Sequence, residues 1–175
     1  VSLYGASGGG VGRDAVGLSP SLLSARDRAA IRNTAQPKGR IMRIGDASEN
    51  FAWREFYCPL TKSVPITDLA IHHITLLQEL RENFGQPLKI NSGYRSPEHN
   101  ARVGGATASM HLEFATDIAP LNHREGDRMQ LLDELNDIAG GLGFGGIGRY
   151  DTFLHLDCRG FIGRTPARWD QRSES

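Results

Sequence analysis

An apolar run of helical period over residues 66–84 constrains the fold of this chain more than any other feature of the sequence. Leucines, isoleucines and a phenylalanine recur every three or four residues and form one broad face. Thr67 and Asp68 are N-cap candidates at the start of the run, and Gly85 and Pro87 follow it as stop signals. The pattern predicts a long helix with one buried face, which needs a sheet or further helices to pack against.

Shorter patterns after this helix predict the partners of its apolar face. LKINSGY is typical of a strand entering a loop, SPEHNARV of a short helix, and ATDIAP of a short strand. A second amphipathic helix is predicted for residues 126–139, closed by Gly140 and Gly141. GFGGIGRY and DTFLHLDC alternate as hairpin strands do, with the turn at residues 150–152. Together these elements predict an α+β fold with a small antiparallel sheet and flanking helices.

The composition changes near residue 49 and divides the chain into an extension and a compact domain. Residues 1–48 are rich in Gly and Ser and are predicted to be an extension or linker, with a short docking helix at residues 19–33. The run FAWREFYCPL contains four aromatic residues, more than a solvated linker would carry. The domain is predicted to span residues 49–170, to end in a polar tail at 171–175, and to be a monomer.

The charge and hydropathy of the chain exclude two classes of partner. Its 175 residues include 20 basic and 20 acidic side chains, so it lacks the positive field of a nucleic-acid-binding protein. No run approaches the roughly 20 apolar residues of a membrane span, and VSLYGASGGG lacks the charged and apolar regions of a signal peptide. Because the chain begins at Val1, a removed leader or a larger parent protein is compatible with the sequence, and the compartment stays open.

Cys58 and Cys158 are the two cysteines of the chain. They are too few for a disulfide scaffold, but they can form one bridge in an oxidising compartment. The alternative is that both are small buried apolar side chains.

Two short segments contain side chains that bind metals. In SMHLEFATDIAP, His111 and Asp117 lie six positions apart across a turn that leads into a strand. In HLD, His155 and Asp157 share one face of another strand. A catalytic zinc takes three protein ligands of these types and leaves a fourth position for water. The spacing fits such a site, although the same residue types also occur as hydrogen-bonded side chains of ordinary cores.

Three blocks of the chain, in sequence order, resemble one protein family. The blocks are NSGYRSPEHNARVGGATASMH, ATDIAP and FLHLDCRG. They resemble the D-alanyl-D-alanine carboxypeptidase-like zinc peptidases of bacterial and phage cell-wall enzymes, over residues 50–170. The resemblance implies a single Zn²⁺ cofactor held by His111, Asp117 and His155, and hydrolysis of peptide bonds in the stem peptides of peptidoglycan.

The same resemblance implies how the substrate is bound. Arg95 lies in the SGYRS block, and its planar fork suits a carboxylate or a developing oxyanion, so it is expected to be catalytic as well as substrate-binding. Tyr94 and Ser109 are expected to contact the substrate with it. Ser109 also suits a role in orienting His111 or Asp117. Zinc in such a site acidifies water and polarises the scissile carbonyl.

The chain departs from the family pattern at two points. Five residues separate His111 from Asp117 where relatives usually have six, and Glu113 is the alternative ligand. Several relatives also have an acidic residue or a His, acting as general base, a few positions before the third ligand. This chain has Thr152 three positions before His155, and a threonine hydroxyl cannot take that proton.

Two other carboxylates could assist the water instead. Asp157 shares a strand face with His155 and is the preferred catalytic base, while Asp151 at the predicted turn is the second candidate. The alternative role for Asp157 is that of a partner that orients His155.

The remaining histidines and Trp169 are assigned structural roles. His72 and His73 point about 100° apart on the first helix and therefore do not share one ligand. His99 is assigned to structure or to the rim of the substrate site, and His123 to solvent. Trp169 is expected to pack on the core rather than act in catalysis.

Peptidase activity on peptidoglycan, as a D,D-carboxypeptidase or an endopeptidase, is the preferred function. One alternative is a zinc-binding module that has lost hydrolysis, because the His111–Asp117 loop is short and the upstream base is missing. Another is a component of a phage tail or lysis machine, tethered by the Gly-rich N-terminus. The location expected from these functions is periplasmic, extracellular or phage-associated.

Overall fold

A computed structural model describes residues 47–124 and 126–173 of the chain. The predicted docking helix at residues 19–33 and nearly all of the predicted extension lie outside the described residues. The last two residues of the predicted polar tail also lie outside them. Within the described residues, no helix combines the length and apolar character needed to cross a membrane.

A five-stranded sheet with helices packed against it forms the domain, as the predicted α+β class requires. The strand order is β1-β2-β4-β3-β5. In chain order the elements are α1 (Asp68–Phe84), β1 (Leu88–Ser92), α2 (Pro97–Arg102), β2 (Ala115–Pro120), α3 (Arg128–Leu142), β3 (Gly146–Arg149), β4 (Leu154–Asp157) and β5 (Ala167–Asp170). Short 3-10 turns lie at Trp53–Phe56, Met110–Leu112 and Arg159–Ile162.

The first four strands pair antiparallel, as predicted, but β5 was not predicted and pairs parallel with β3. β5 is an edge strand in which half-buried and exposed residues alternate. Its sequence ARWD contains two charged side chains, so it carries no apolar run that would indicate a strand. Parallel pairing with β3 is possible because the 3-10 turn at Arg159–Ile162 and the following loop return the chain to the same end of the sheet.

Helix α1 agrees closely with its predicted limits. The Thr67 side chain caps it by accepting a hydrogen bond from the backbone N–H of Ala70 at 3.2 Å. Gly85 ends it with a φ of 73°, a left-handed conformation that glycine adopts without strain. The buried face of the helix consists of Leu69, Ala70, His73, Ile74, Leu77, Leu80 and Phe84.

Helix α3 corrects one predicted boundary. Gly140 and Gly141 were predicted to close it, but the helix continues through both to Leu142. The residue that ends the helix is Gly143, whose φ is 93°. A glycine ends a helix by adopting a left-handed φ, and neither Gly140 nor Gly141 does so.

The two long helices and one face of the sheet enclose the core. Ile118, Ile147, Leu154 and Leu156 are buried in the same apolar cluster as the inner faces of α1 and α3. Because successive strand residues point to opposite faces, the residues between them lie on the other face. That second face is where β2 and β4 present Asp117, His155 and Asp157.

Cys58 and Cys158 are both buried free thiols, so the disulfide left open by the sequence is not formed. The Cys58 sulfur lies 3.6 Å from the Ser96 hydroxyl, and the Cys158 sulfur lies 3.5 Å from Nδ1 of His73. Each thiol therefore packs in a separate environment.

His73 is a fully buried histidine in the core. Its Nε2 lies 2.9 Å from the Thr116 hydroxyl, and its ring packs edge-on against Phe114 and Phe144. Burial disfavours the charged imidazolium and lowers the pKa of His73 to about 3. The neutral form is therefore the one that the folded protein contains.

We predict that His73 makes the fold sensitive to acid. Between pH 6.5 and about 3, the unfolded chain binds one proton at this residue that the folded chain does not. The free energy of unfolding should fall by about 1.4 kcal/mol for each pH unit in this range. His73→Gln removes this contribution, so urea unfolding of the metal-free proteins at pH 6.5 and 5.0 should show a smaller loss of stability in the variant. Equal losses in both proteins would contradict the prediction.

Candidate metal centre

The antiparallel register of β2 and β4 places Asp117 directly opposite His155. Both side chains lie on the face of the sheet away from the apolar core, and both are buried, with exposed fractions of 6% and 8%. Directly paired residues on one face have close side chains. Oδ1 of Asp117 lies 2.9 Å from Nδ1 of His155.

His111 reaches the same point from the 3-10 turn Met110–Leu112, which precedes β2. Ser109 caps this turn, because its hydroxyl accepts a hydrogen bond from the backbone N–H of His111 at 3.3 Å. The ring Nδ1 of His111 donates to the carbonyl oxygen of Gly93 at 2.7 Å. Because a carbonyl only accepts, Nδ1 must carry a proton, and Nε2 is the ring nitrogen that remains for a bond to a metal.

His111, Asp117 and His155 form a compact group of buried metal-binding side chains, and their ligand atoms all lie within 4.8 Å of one another. Nε2 of His111 is 3.2 Å from Oδ1 of Asp117. Ligands held about 2.0 Å from a tetrahedral zinc ion are about 3.3 Å apart, so these separations are compatible with zinc. The chemistry of the set, two imidazoles and one carboxylate, also suits zinc. The structure thus brings the three predicted ligands together despite the five-residue spacing.

Asp157 holds the far side of the His155 ring. Its Oδ2 lies 3.1 Å from Nε2 of His155, and it is fully buried. Arg159 donates to the same carboxylate from its backbone N–H at 2.9 Å and from its guanidinium at 2.7–3.2 Å. Gly146 lies opposite Asp157 in β3, and a Cβ at that position would overlap the carboxylate. Asp157 is thus placed to orient a ligand histidine.

Arg95 bonds Oδ2 of the ligand carboxylate Asp117, while the two histidines contact Oδ1. Its Nη2 donates to Oδ2 of Asp117 at 2.9 Å, and its Nε donates to the Ser92 hydroxyl at 3.0 Å. The backbone N–H of Arg95 also donates to the carbonyl of His111 at 2.8 Å. One residue therefore ties two of the ligands together.

These contacts keep both carboxylates charged. Burial by itself would raise the pKa of Asp117, but hydrogen bonds from His111 and His155 outweigh it and hold the pKa well below its ordinary value. In Asp157, burial is likewise outweighed by hydrogen bonds from His155 and Arg159, which lower the pKa. The pKa of His155 is raised, because its hydrogen bonds to the two aspartates outweigh its burial. Ionised carboxylates are the form that binds a cation.

A cavity of about 400 Å³ opens beside this group. Arg95 and Ser109, predicted substrate-binding residues, line it together with the three ligands, and an aromatic wall is formed by Tyr150, Phe153 and Trp169. Tyr94, also predicted to bind substrate, is not among the lining residues; its backbone N–H donates to the carbonyl of Phe56 at 3.0 Å.

The alternative carboxylates lie away from the ligands. Glu113 is half-exposed and faces Arg164 at 3.6 Å. Asp151 is exposed and accepts hydrogen bonds from the backbone and the hydroxyl of Ser173 at 3.0 and 2.8 Å. Neither belongs to the metal-binding group or lines the cavity.

The other histidines also lie outside the group. His72 stacks on Phe161 with ring centroids 4.7 Å apart, and His73 belongs to the core. His99 lies in the first turn of helix α2, and its backbone N–H donates to the hydroxyl of the Ser96 cap at 3.2 Å. His123 accepts a hydrogen bond from Arg128 at 3.0 Å.

Trp169 requires a correction, because it lines the cavity rather than packing in the core. Its ring lies over Gly148, where a Cβ would overlap the indole, and 5.2 Å from the His155 ring between centroids. Sequence reasoning also missed Tyr150 and Arg159 as residues of this site. The signal available for them was GGIG, because glycines inside a strand mark places where another group approaches closely.

Comparison with protein-family models matches residues 49–157 to the Peptidase M15 family. The match covers more than half of the chain and contains all three ligands of the metal-binding group. A comparison with curated proteins gives no match. The chain therefore belongs to the Peptidase M15 family of zinc peptidases, as its resemblance to D-alanyl-D-alanine carboxypeptidase-like enzymes predicted.

Proposed function

We propose that this zinc peptidase hydrolyses peptide bonds at a D-amino-acid centre in the stem peptides of peptidoglycan. The observation that carries the proposal is the group His111, Asp117 and His155 in the lining of a cavity that Arg95 also lines. A short peptide with a carboxylate or carbonyl oxygen beside the metal fits this combination of charges. With this activity, we expect the protein to act in the periplasm, outside the cell or on a phage particle.

The protein residues of the site have separable tasks. When bound by the three ligands, zinc supplies a Lewis acid for the scissile carbonyl and lowers the pKa of water. His111 is held in the ligating tautomer by the Gly93 carbonyl, and Asp117 is kept ionised by its hydrogen bonds.

Arg95 is the candidate for binding the charged or developing negative oxygen of the substrate. Two of its guanidinium nitrogens bond Asp117 and Ser92, while Nη1 has no hydrogen-bond partner among the residues that the structure describes. A guanidinium fixed by two bonds presents its third nitrogen without a large loss of side-chain entropy. Arg95 is thus suited to both of its predicted roles.

For Asp157 the contacts favour a positioning role over that of a general base. All of the hydrogen bonds to its carboxylate come from His155 and Arg159, and it has no exposed surface. A base must reach the proton that it abstracts, directly or through one water. We therefore propose that Asp157 orients His155 and strengthens its bond to the metal.

A zinc-binding module without hydrolysis is the second candidate, and one observation favours it. Apart from the three ligands, the residues that line the cavity include no carboxylate and no imidazole. An enzyme of this arrangement must use a ligand carboxylate or the substrate itself to accept the proton. Purified protein loaded with zinc but inert on peptidoglycan would establish this alternative.

Metal content tests the site. We predict one zinc per chain by plasma mass spectrometry, and loss of that zinc together with hydrolysis in His111→Ala and in His155→Ala. His99→Ala is the control, because His99 lies outside the group and should leave the metal in place. Zinc-supplied wild-type protein that contains no zinc would overturn the assignment of the ligands.

Product analysis tests the activity. Incubation of zinc-loaded protein with purified muropeptides should release free D-alanine if it is a carboxypeptidase, and convert cross-linked dimers to monomers if it is an endopeptidase. Mass spectrometry separates the two products. Hydrolysis of neither substrate by zinc-loaded protein would contradict the proposed function.

Arg95→Ala should fold and bind zinc at saturating metal concentration, but lose turnover roughly 100-fold, because a donor to a developing negative charge is removed. The matched control is Arg102→Ala, since Arg102 is largely exposed and, within the described part of the chain, forms an ion pair with Glu98 alone. Kinetics at several substrate concentrations give kcat and KM for both variants. Cleavage by Arg95→Ala at the wild-type rate would remove Arg95 from the site.

Asp157→Asn separates the two roles of Asp157. If it orients His155, zinc affinity should fall about 10- to 100-fold in competition with a chelating dye. If it is a general base, zinc affinity should stay near that of wild type while turnover falls in the zinc-saturated variant. Asp151→Asn, which changes an exposed carboxylate bonded to Ser173, serves as the control for both measurements.

A further inference from the structure

Tyr150 and Trp169 form a hydrogen-bonded pair in the cavity wall that the metal-binding group does not use. Both residues line the cavity with the three ligands. The indole Nε1 of Trp169 lies 3.1 Å from the Tyr150 hydroxyl oxygen. Because an indole N–H can only donate, the tyrosine oxygen is the acceptor in this bond.

The position of Tyr150 is fixed by its surroundings. Its ring stacks on Phe153 with centroids 4.3 Å apart and planes 13° from parallel. Its backbone N–H donates to the carbonyl of Phe153 at 3.1 Å, which closes the turn between β3 and β4. The hydroxyl is therefore held on a short, ordered turn rather than on a long loop.

Trp169 is fixed equally well. Its ring occupies the space above Gly148, where no Cβ is present. The guanidinium carbon of Arg159 lies 5.2 Å from its ring centroid, within the range of a cation–π contact. Its ring also lies next to that of His155. Trp169 therefore contacts a metal ligand on one side and the Tyr150 hydroxyl on the other.

The Tyr150 hydroxyl has one hydrogen to donate. Among residues 47–124 and 126–173 it accepts from Trp169 and donates to no recorded partner. A fixed donor at the wall of a peptide-binding cavity meets the need of a substrate oxygen for a hydrogen bond. Two arginines supply charged donors among the lining residues, and each already uses two guanidinium nitrogens, Arg95 for Asp117 and Ser92 and Arg159 for Asp157.

We propose that Tyr150 donates a hydrogen bond to a carbonyl or carboxylate oxygen of the bound peptide, and that Trp169 positions its hydroxyl for this bond. The proposal rests on the proposed function, because it assigns a binding partner to the substrate of that same site. Tyr150 and Arg95 then donate hydrogen bonds to two different oxygen atoms of the peptide.

The test uses the zinc-loaded chain of 175 residues and two readouts. The first is calorimetric binding of the phosphinate analogue of D-alanyl-D-alanine, and the second is kcat and KM for muropeptide hydrolysis. Tyr150→Phe keeps the ring that stacks on Phe153 and removes only the hydroxyl. Loss of one hydrogen bond should weaken binding of the analogue about tenfold, with zinc content and thermal unfolding close to those of wild type.

Tyr57→Phe is the matched control, because Tyr57 is 40% exposed and does not line the cavity. It should bind the analogue as wild type does. Equal affinity and equal kinetics in Tyr150→Phe and wild type would overturn the inference, and so would failure of zinc-loaded wild type to bind the analogue. Binding that depends on Tyr150 without any hydrolysis would support the inference and overturn only the proposed hydrolysis.

A double-mutant cycle tests the positioning role of Trp169. Trp169→Phe removes the indole donor and should weaken binding of the analogue by a few fold, while zinc content stays at one per chain. In the Tyr150→Phe background the same change should have little further effect, because Trp169 would act through the hydroxyl that is already missing. Additive effects of the two changes would overturn the positioning role.

Discussion

The site depends on the antiparallel register that pairs Asp117 with His155 across β2 and β4. A shift of one residue would turn Asp117 to the helix-covered face and replace it with Thr116 or Ile118. That register is enforced by the core, because Ile118, Leu154 and Leu156 must remain in contact with the long helices. Apolar packing on one face of the sheet therefore determines which polar residues meet on the other.

Charge balance is the second constraint. Two carboxylates, Asp117 and Asp157, are buried within the sheet, and each is bonded to one arginine at its rim. A buried carboxylate without a partner would cost several kcal/mol. Arg95 and Arg159 supply the positive charge that offsets the two buried carboxylates. One ring nitrogen of each ligand histidine remains directed at Asp117, where a metal ion would bind. Together with the hydrogen bonds from His111 and His155, this compensation keeps Asp117 ionised and ready for a cation before the cation is bound.

The sequence predicted the parts of this arrangement that depend on local pattern. Helix α1 was predicted because its caps and apolar period are strong, and the family blocks identified His111, Asp117 and His155. The five-residue spacing is sufficient because the turn Met110–Leu112 leads almost directly into β2. Local pattern could not predict that Trp169 lines the cavity, because its position depends on the parallel pairing of β5 with β3. Nor could it predict that α3 continues past Gly140, because the end of the helix depends on which glycine adopts a left-handed φ.

Two glycines in strand β3 are as important for the site as the side chains that line it. Glycine weakens a strand by its flexibility and lack of packing, yet β3 has two, at positions opposite Asp157 and beneath Trp169. A side chain at Gly146 would displace the carboxylate that orients His155, and one at Gly148 would displace the indole that bonds Tyr150. The two glycines lie two residues apart and so share one face of the strand. The same strand therefore leaves room for the support of the metal ligand and for the wall of the substrate cavity.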